Sequence, residues 1–384
     1  MYKHVVDLIR SQYPSKNFIP LHEPLFIGNE KKYVAECIDS TFVSSVGRYV
    51  DDFEKIIANY TGAKYGVAIV NGTGALHMAM LVAGVKRNDI VITQPLSFIA
   101  TCNAISYIGA SPLFIDVDVD TLGLSPAKLK AYLQQNVEKN ADGFTYHKTT
   151  GQKISACVPM HTFGHPCRID EIAGICNEYN IALVEDAAES IGSTYKGKHT
   201  GTFGVVGTLS FNGNKTITCG GGGAIITNDE KLAKHAKHLT TQAKVPHRWD
   251  FVHDEIGYNY RMPNINAALM CAQMEQLDRF LKDKREVAGI YKDFFKGKEI
   301  EFVSEPADSK SNYWLCAVKL ADRKQRDEFL QYTNDNGVMT RPCWTLMNKL
   351  VMFKDALHGD LTNAQMLEDR LVNIPSSVRA QNMK

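Results

Sequence analysis

Lys215 is the residue whose chemistry most needs an account. In "SFNGNKTITCGGGGAIITND" it follows an apolar run and a Ser-Phe pair, and it precedes four glycines, Gly220–Gly223. A solvated loop lysine is the ordinary reading. At the end of a buried strand a lysine has another use: partly desolvated, it loses its proton and attacks a carbonyl, forming a Schiff base. The commonest cofactor held in that way is pyridoxal phosphate, which calls for a lysine, an acid at the pyridinium nitrogen and a phosphate cradle.

Candidates for each of those parts stand elsewhere in the chain. Asp186 closes "IALVED", directly after an apolar run. It reads either as a helix cap or as the acid that keeps a ring nitrogen protonated. "NGTGALHMAM" supplies Gly72, Thr73 and Gly74 just before a helix, where backbone N–H groups attract phosphate. Ser210, five residues before the lysine, adds a hydroxyl. Phe98, at the end of "QPLSF", is either core or a platform for a flat ring. His161 and His165 with Cys157 and Cys167 mimic a metal cluster, but their spacing fits no zinc pattern, and no metal is expected. The four glycines lack the Lys-Ser/Thr of a phosphate loop and instead let the chain turn tightly into the next strand.

These residues have to be positioned by regular elements. Between residues 65 and 227, seven short Val/Ile-rich runs alternate with helix-like stretches. The runs are Tyr65–Val70, Ile90–Thr93, Leu113–Val117, Ile154–Met160, Ile181–Glu185, Val206–Phe211 and Ala224–Thr227. Alternation of this kind predicts an α/β fold, with a mostly parallel seven-stranded sheet covered by helices. Ligands in such sheets bind beyond the carboxyl ends of the strands. "NGTG", "QPLSF", "DVD" (116–118), "HTFGH" (161–165), "EDAAES" (185–190) and "NGNK" (212–215) are therefore expected to line one cleft. After residue 255 the texture changes. One long helix is expected after Pro263, followed by a smaller α+β lobe. The division expected is 1–255 for a large cofactor-binding domain with an N-terminal arm, and 256–384 for a small C-terminal domain.

Bulk properties narrow the class further. The chain has 384 residues, 43 basic and 42 acidic, for a net charge of +1, which gives no footprint for nucleic acid or an anionic membrane. No apolar stretch is long enough for a membrane span, and the first residues lack a signal-peptide core. Nine scattered cysteines fit a reduced, cytoplasmic setting better than a disulfide framework.

Taken in order, "NGTGALHMA", "SFIATCNAI", "VEDAAES", "SFNGNK…GGGGAI" and "GYNYRMPNINAAL" resemble the sugar-nucleotide aminotransferases of the DegT/DnrJ/StrS family, which have the aspartate-aminotransferase-like fold of type I. The resemblance runs from "PLHEPLFIGNE" to "GVMTRPCW". It implies that Lys215 joins pyridoxal 5'-phosphate and shuttles protons, and that Asp186 binds the ring nitrogen. It implies further that Thr73, Gly74 and Ser210 hold the phosphate and that Phe98 stacks on the ring. Glu189 stands where the family often has Gln or His near the ring hydroxyl. Asn259, in "GYNYR", resembles the asparagine that reaches a neighbouring subunit's phosphate, which implies a homodimer with shared sites. Arg341 and Trp344 in "TRPCW", together with His161 and Asn212, are the candidate substrate contacts.

"HEPLFIGNE", "STFVSSVGRYV" and "SFNGNKTIT" most resemble the branch acting on UDP-linked 4-keto-6-deoxy-N-acetylhexosamines, which serves legionaminic acid or bacillosamine synthesis. The implied reaction moves an amino group from glutamate to the sugar's C4 ketone, giving a UDP-4-amino sugar. Two alternatives stay open: another keto sugar, such as a dTDP-linked one, and a non-enzymatic regulator that keeps the fold. A sugar 3-dehydratase of the same family would have His in place of Lys215.

Overall fold

The computed structural model describes residues 1–14 and 16–383. All seven apolar runs enter one sheet, in the spatial order Tyr65–Ile69, Gly223–Thr227, Val206–Ser210, Ala182–Asp186, Ile154–Val158, Ile90–Thr93 and Ser111–Phe114. An eighth strand, Leu357–His358, joins at the far edge from the C-terminal part of the chain. Only Gly223–Thr227 runs against its neighbours. The strands from 206 to 114 pair parallel, and their near-continuous burial explains their unalternating Val/Ile composition.

Because Gly223–Thr227 is antiparallel to both neighbours, Tyr65–Ile69 points the same way as the parallel strands. Seven strand carboxyl ends therefore share one edge, and the reversed strand brings its first residue, Gly223, to that same edge opposite Ser210. Helices cover both faces, among them Gly72–Val82, Ile99–Ile108, Ile169–Glu178 and Glu230–Thr240. Helix Gly72–Val82 carries nine buried residues, as a helix inside a core does.

The stretch after Pro263 forms two helices, Asn264–Met274 and Leu277–Phe295, where one was expected. Apolar spacing continues through the junction, so periodicity alone could not show the break. Glu275 and Gln276 form a turn there (Gln276 φ −102°, ψ −8°), and Gln273 turns its side chain to the Leu25 carbonyl and Glu30.

The packing crosses the expected boundary at 255. Val5, Val6 and Ile9 of the first helix, Tyr2–Gln12, and Tyr13 just after it pack with Val287, Tyr291, Val318 and Phe329 in the core of the C-terminal lobe. Met262, Ala267, Met270 and Phe280 pack with Phe53 and Phe211 of the large lobe. Four strands, in the order Glu301–Phe302, Cys316–Lys319, Leu371–Ile374 and Arg341–Pro342, form the antiparallel sheet of the small lobe.

Candidate active site

Lys215 lies in the turn after the buried strand Val206–Ser210, with its amide bonded to the Asn212 carbonyl (3.0 Å). Its Nζ donates to Oε1 of Glu189 at 3.3 Å and sits 3.8 Å from the centre of the Trp314 ring. The side chain is 12% exposed, so the amine is largely removed from water without being sealed in. Trp314 is itself fixed, because its indole N–H donates to the Asn214 carbonyl at 2.8 Å.

Asp186 ends the neighbouring strand, Ala182–Asp186. One carboxylate oxygen accepts from the Thr101 hydroxyl (2.7 Å) and the other from the Ala188 amide (3.2 Å). Burial pushes its pKa up, and these two donors with the Lys215 charge pull it back. Lys215 is thus near enough for its charge to act on the Asp186 carboxylate. Glu189 completes the group: Oε2 accepts from the Phe163 amide at 2.9 Å, and burial, opposed by Lys215, pushes the carboxyl up to about 7.

The glycines next to the pocket are there for space. A Cβ on Gly72 would lie 2.7 Å from Cβ of Ser210, and one on Gly223 would lie 2.6 Å from the Asn71 carbonyl. The start of helix Gly72–Val82, the Ser210 hydroxyl and the glycine return are therefore packed into one corner. Asn71 caps the helix, taking the Gly74 amide on its side chain (2.7 Å) and the Ala75 amide on its carbonyl (3.0 Å). The amides of Gly72 and Thr73 remain at the helix start, which is where a phosphate binds. A desolvated lysine, a carboxylate on the adjacent strand and a helix start with a hydroxyl beside it fit pyridoxal phosphate.

Other expected residues fall in different places. Phe98 precedes helix Ile99–Ile108, is 48% exposed, and stands 6.2 Å from the Trp344 ring, which is 5.1 Å from that of Phe163. Trp344 thus reaches the pocket's rim from the small lobe. Arg341 is exposed on the edge strand, with its guanidinium on Asn334 and the Thr340 carbonyl of its own lobe. Asn212 is exposed and faces Asn214. Asn259 is exposed, in a bridge to Thr241.

Two expectations need correction. His161 does not present itself to a substrate: it is fully buried, Nε2 meets Glu185 at 3.1 Å and Nδ1 accepts the Cys167 amide at 3.1 Å. The "DVD" segment is structural. Asp116 accepts the amides of Asn363 and Ala364 at the start of a C-terminal helix, and Asp118 pairs with Arg168.

Two contacts escape the sequence pattern. Thr101 is one turn along the helix from Phe98, and that spacing is the signal that a hydroxyl faces the same side. Trp314 arrives from a distant part of the chain, and no local pattern announces it. The Phe163 amide belongs to "HTFGH", which was expected at this edge of the sheet.

Comparison with known proteins agrees with this geometry. The profile of the DegT/DnrJ/EryC1/StrS aminotransferase family matches residues 26–383. A GDP-perosamine synthase from Escherichia coli O157:H7 is 38% identical over 94% of this chain and 93% of its own. Another protein of that name, from Vibrio cholerae, is 34% identical over 93% of this chain and 94% of its own. Among solved structures, the aminotransferase TlmJ from Streptoalloteichus hindustanus superposes with a TM-score of 0.84 at 26% identity, covering 94% of this chain and 93% of that one.

Proposed function

This chain belongs to the DegT/DnrJ/EryC1/StrS aminotransferase family, and we propose that it moves an amino group from glutamate to the C4 ketone of a GDP-linked 4-keto-6-deoxy sugar. It is a pyridoxal phosphate-dependent sugar aminotransferase. The observation that favours guanosine is the shared name, GDP-perosamine synthase, of relatives that match nearly end to end. Perosamine is a 4-amino sugar, so a C4 ketone is its direct precursor. A UDP-linked 4-keto-6-deoxy-N-acetylhexosamine is the second reading, favoured by the likeness of "HEPLFIGNE", "STFVSSVGRYV" and "SFNGNKTIT" to the branch acting on such sugars.

When bound, pyridoxal phosphate supplies an aldehyde that accepts the donor's nitrogen and a ring that draws electrons from the carbon losing its proton. The chain's own groups do the rest. Lys215 Nζ would hold the cofactor and would be the base that takes and returns the donor's proton, work typically worth ~10²–10⁴-fold in rate. Asp186, whose two oxygens accept from Thr101 and the Ala188 amide, would face the ring nitrogen and favour its protonated form. The amides of Gly72 and Thr73 and the Ser210 hydroxyl would take the phosphate, the Gly74 amide being held by the Asn71 cap; Phe98 and Trp344 would cover the ring and sugar from the rim, and Glu189 would hold the Lys215 amine when it is free.

A homodimer with shared sites is part of the proposal. Its support is a run of bare apolar side chains just before Asn259: Trp249, Phe251 and Ile256 are 69%, 79% and 84% exposed.

The test is to incubate the holoprotein with glutamate and GDP-, UDP- and dTDP-linked 4-keto-6-deoxy sugars, and to read products by mass and NMR. A GDP-linked 4-amino sugar is expected. Turnover of the UDP-linked ketone alone would move the assignment to the second reading.

A further inference from the structure

Residues 311–314 form a loop just before the small-lobe strand Cys316–Lys319. Tyr313 stands in the left-handed region (φ 48°), a conformation that costs a bulky side chain and persists only where its surroundings over-determine it. Its amide donates to the Ser311 hydroxyl (3.1 Å), and the Trp314 amide donates to Asn312 Oδ1 (2.8 Å). The Trp314 carbonyl accepts from the buried Lys284 amine at 3.2 Å, and the indole N–H donates to the Asn214 carbonyl at 2.8 Å. Trp314 is therefore tied at its amide, its carbonyl and its ring.

The result is the place of the ring, over whose face Lys215 Nζ lies 3.8 Å from the centre. A second contact leads to the same amine. The Asn312 side-chain amide donates to the carbonyls of Glu189 (2.8 Å) and Ile191 (2.9 Å). Glu189 Oε1 is in turn the acceptor for Nζ, at 3.3 Å. One buried asparagine thus fixes both neighbours of the amine, the ring through the Trp314 amide and the carboxylate through the Glu189 backbone.

A lysine amine rides on a flexible four-carbon stem, and it must come back to one point each time it exchanges a proton. The two neighbours serve it differently. A carboxylate accepts a hydrogen bond and competes for the proton, whereas an aromatic face attracts a cation and has no site that takes its proton. We propose that Trp314 is a positioning residue that seats the Lys215 amine where it takes and returns the donor's proton, with Asn312 keeping the ring and Glu189 in step. This rests on Lys215 being the base of a pyridoxal phosphate-dependent aminotransferase, and it holds for whichever sugar nucleotide accepts the nitrogen.

The glutamate half of the reaction, timed on the holoenzyme by the cofactor's absorbance change, reads the proton step without any sugar. Trp314→Leu is expected to slow it by roughly tenfold. Glutamate deuterated at the α-carbon is expected to show an isotope effect at least as large as in the wild type, because the lost rate lies in proton transfer. Trp314→Phe, which keeps an aromatic face, should recover much of the loss. Trp314→Met fills the volume without such a face, and it takes the place of Trp314→Leu should that variant not fold. An independent readout is the rate at which Lys215 of each apoprotein captures added pyridoxal phosphate, which is expected to fall in the same order. A rate within about twofold of the wild type in either assay, a reduced isotope effect, or a Trp314→Phe as slow as Trp314→Leu overturns the assignment. Failure of the functional reading shows elsewhere: the wild-type enzyme would accept glutamate's nitrogen and pass it to no GDP-linked ketone.

Discussion

Glu189 is the residue that departs most from the expected pattern, and its behaviour follows from its surroundings. It is 3% exposed, and burial pushes its carboxyl from 4.5 up to about 7. That folded value lies above the ordinary one. The folded chain therefore binds more protons than the unfolded chain between pH 4.5 and 7, and this group's contribution to stability falls as pH rises through that window. Glu189→Gln removes the titration and keeps an acceptor for the Phe163 amide. Between pH 5 and 7 the variant apoprotein is expected to gain on the wild type by on the order of 2–3 kcal/mol, read by urea unfolding at each pH. A constant difference across the range would show that the carboxyl is ionised throughout. At this scale the sequence was informative only in part. Lys215 and Asp186 were legible because each follows an apolar run that had to be a strand. Thr101 and Trp314 were not, because their roles come from neighbours far along the chain.

At the scale of elements, the strand Ala182–Asp186 does two jobs with adjacent residues. Asp186 faces the pocket, and Glu185, on the opposite side, accepts the amides of Gly201, Phe203 and Gly204 at 2.6–2.7 Å and meets His161. This explains why "HTFGH" sits where it does: His161 is the inner anchor of a loop whose next residues reach Glu189. Glu185→Ala leaves those amides without an acceptor and is expected to lower unfolding free energy by about 3–5 kcal/mol, measured with denaturant. Glu185→Gln, which can still accept, is expected to lose less. The elements themselves were legible, since strand and helix periodicities are local. The break at Gln276 was not, because apolar spacing carries on across it.

Across the whole molecule, the first helix packs into the C-terminal lobe, a crossing that cannot be seen from composition shifts, which mark only the boundary near 255. The exposed Trp249, Phe251 and Ile256 form the other large-scale feature. Contiguous apolar surface of this kind marks association. Sedimentation of the wild type is expected to give a dimer, and Phe251→Asp with Ile256→Asp is expected to shift it toward monomer with loss of activity. A monomeric wild type that remains active would contradict the shared-site proposal.

The central claim is that Lys215 is the amine that holds the cofactor. The molecule contains a rival, since burial lowers the fully buried Lys284 amine to about 8, which also makes it a nucleophile near neutral pH. Borohydride reduction of the holoprotein, followed by peptide mass mapping, separates the two directly. The account predicts the reduced cofactor on the peptide carrying Lys215, and none on that residue's replacement Lys215→Ala. Label on Lys284, or undiminished label in Lys215→Ala, would contradict it.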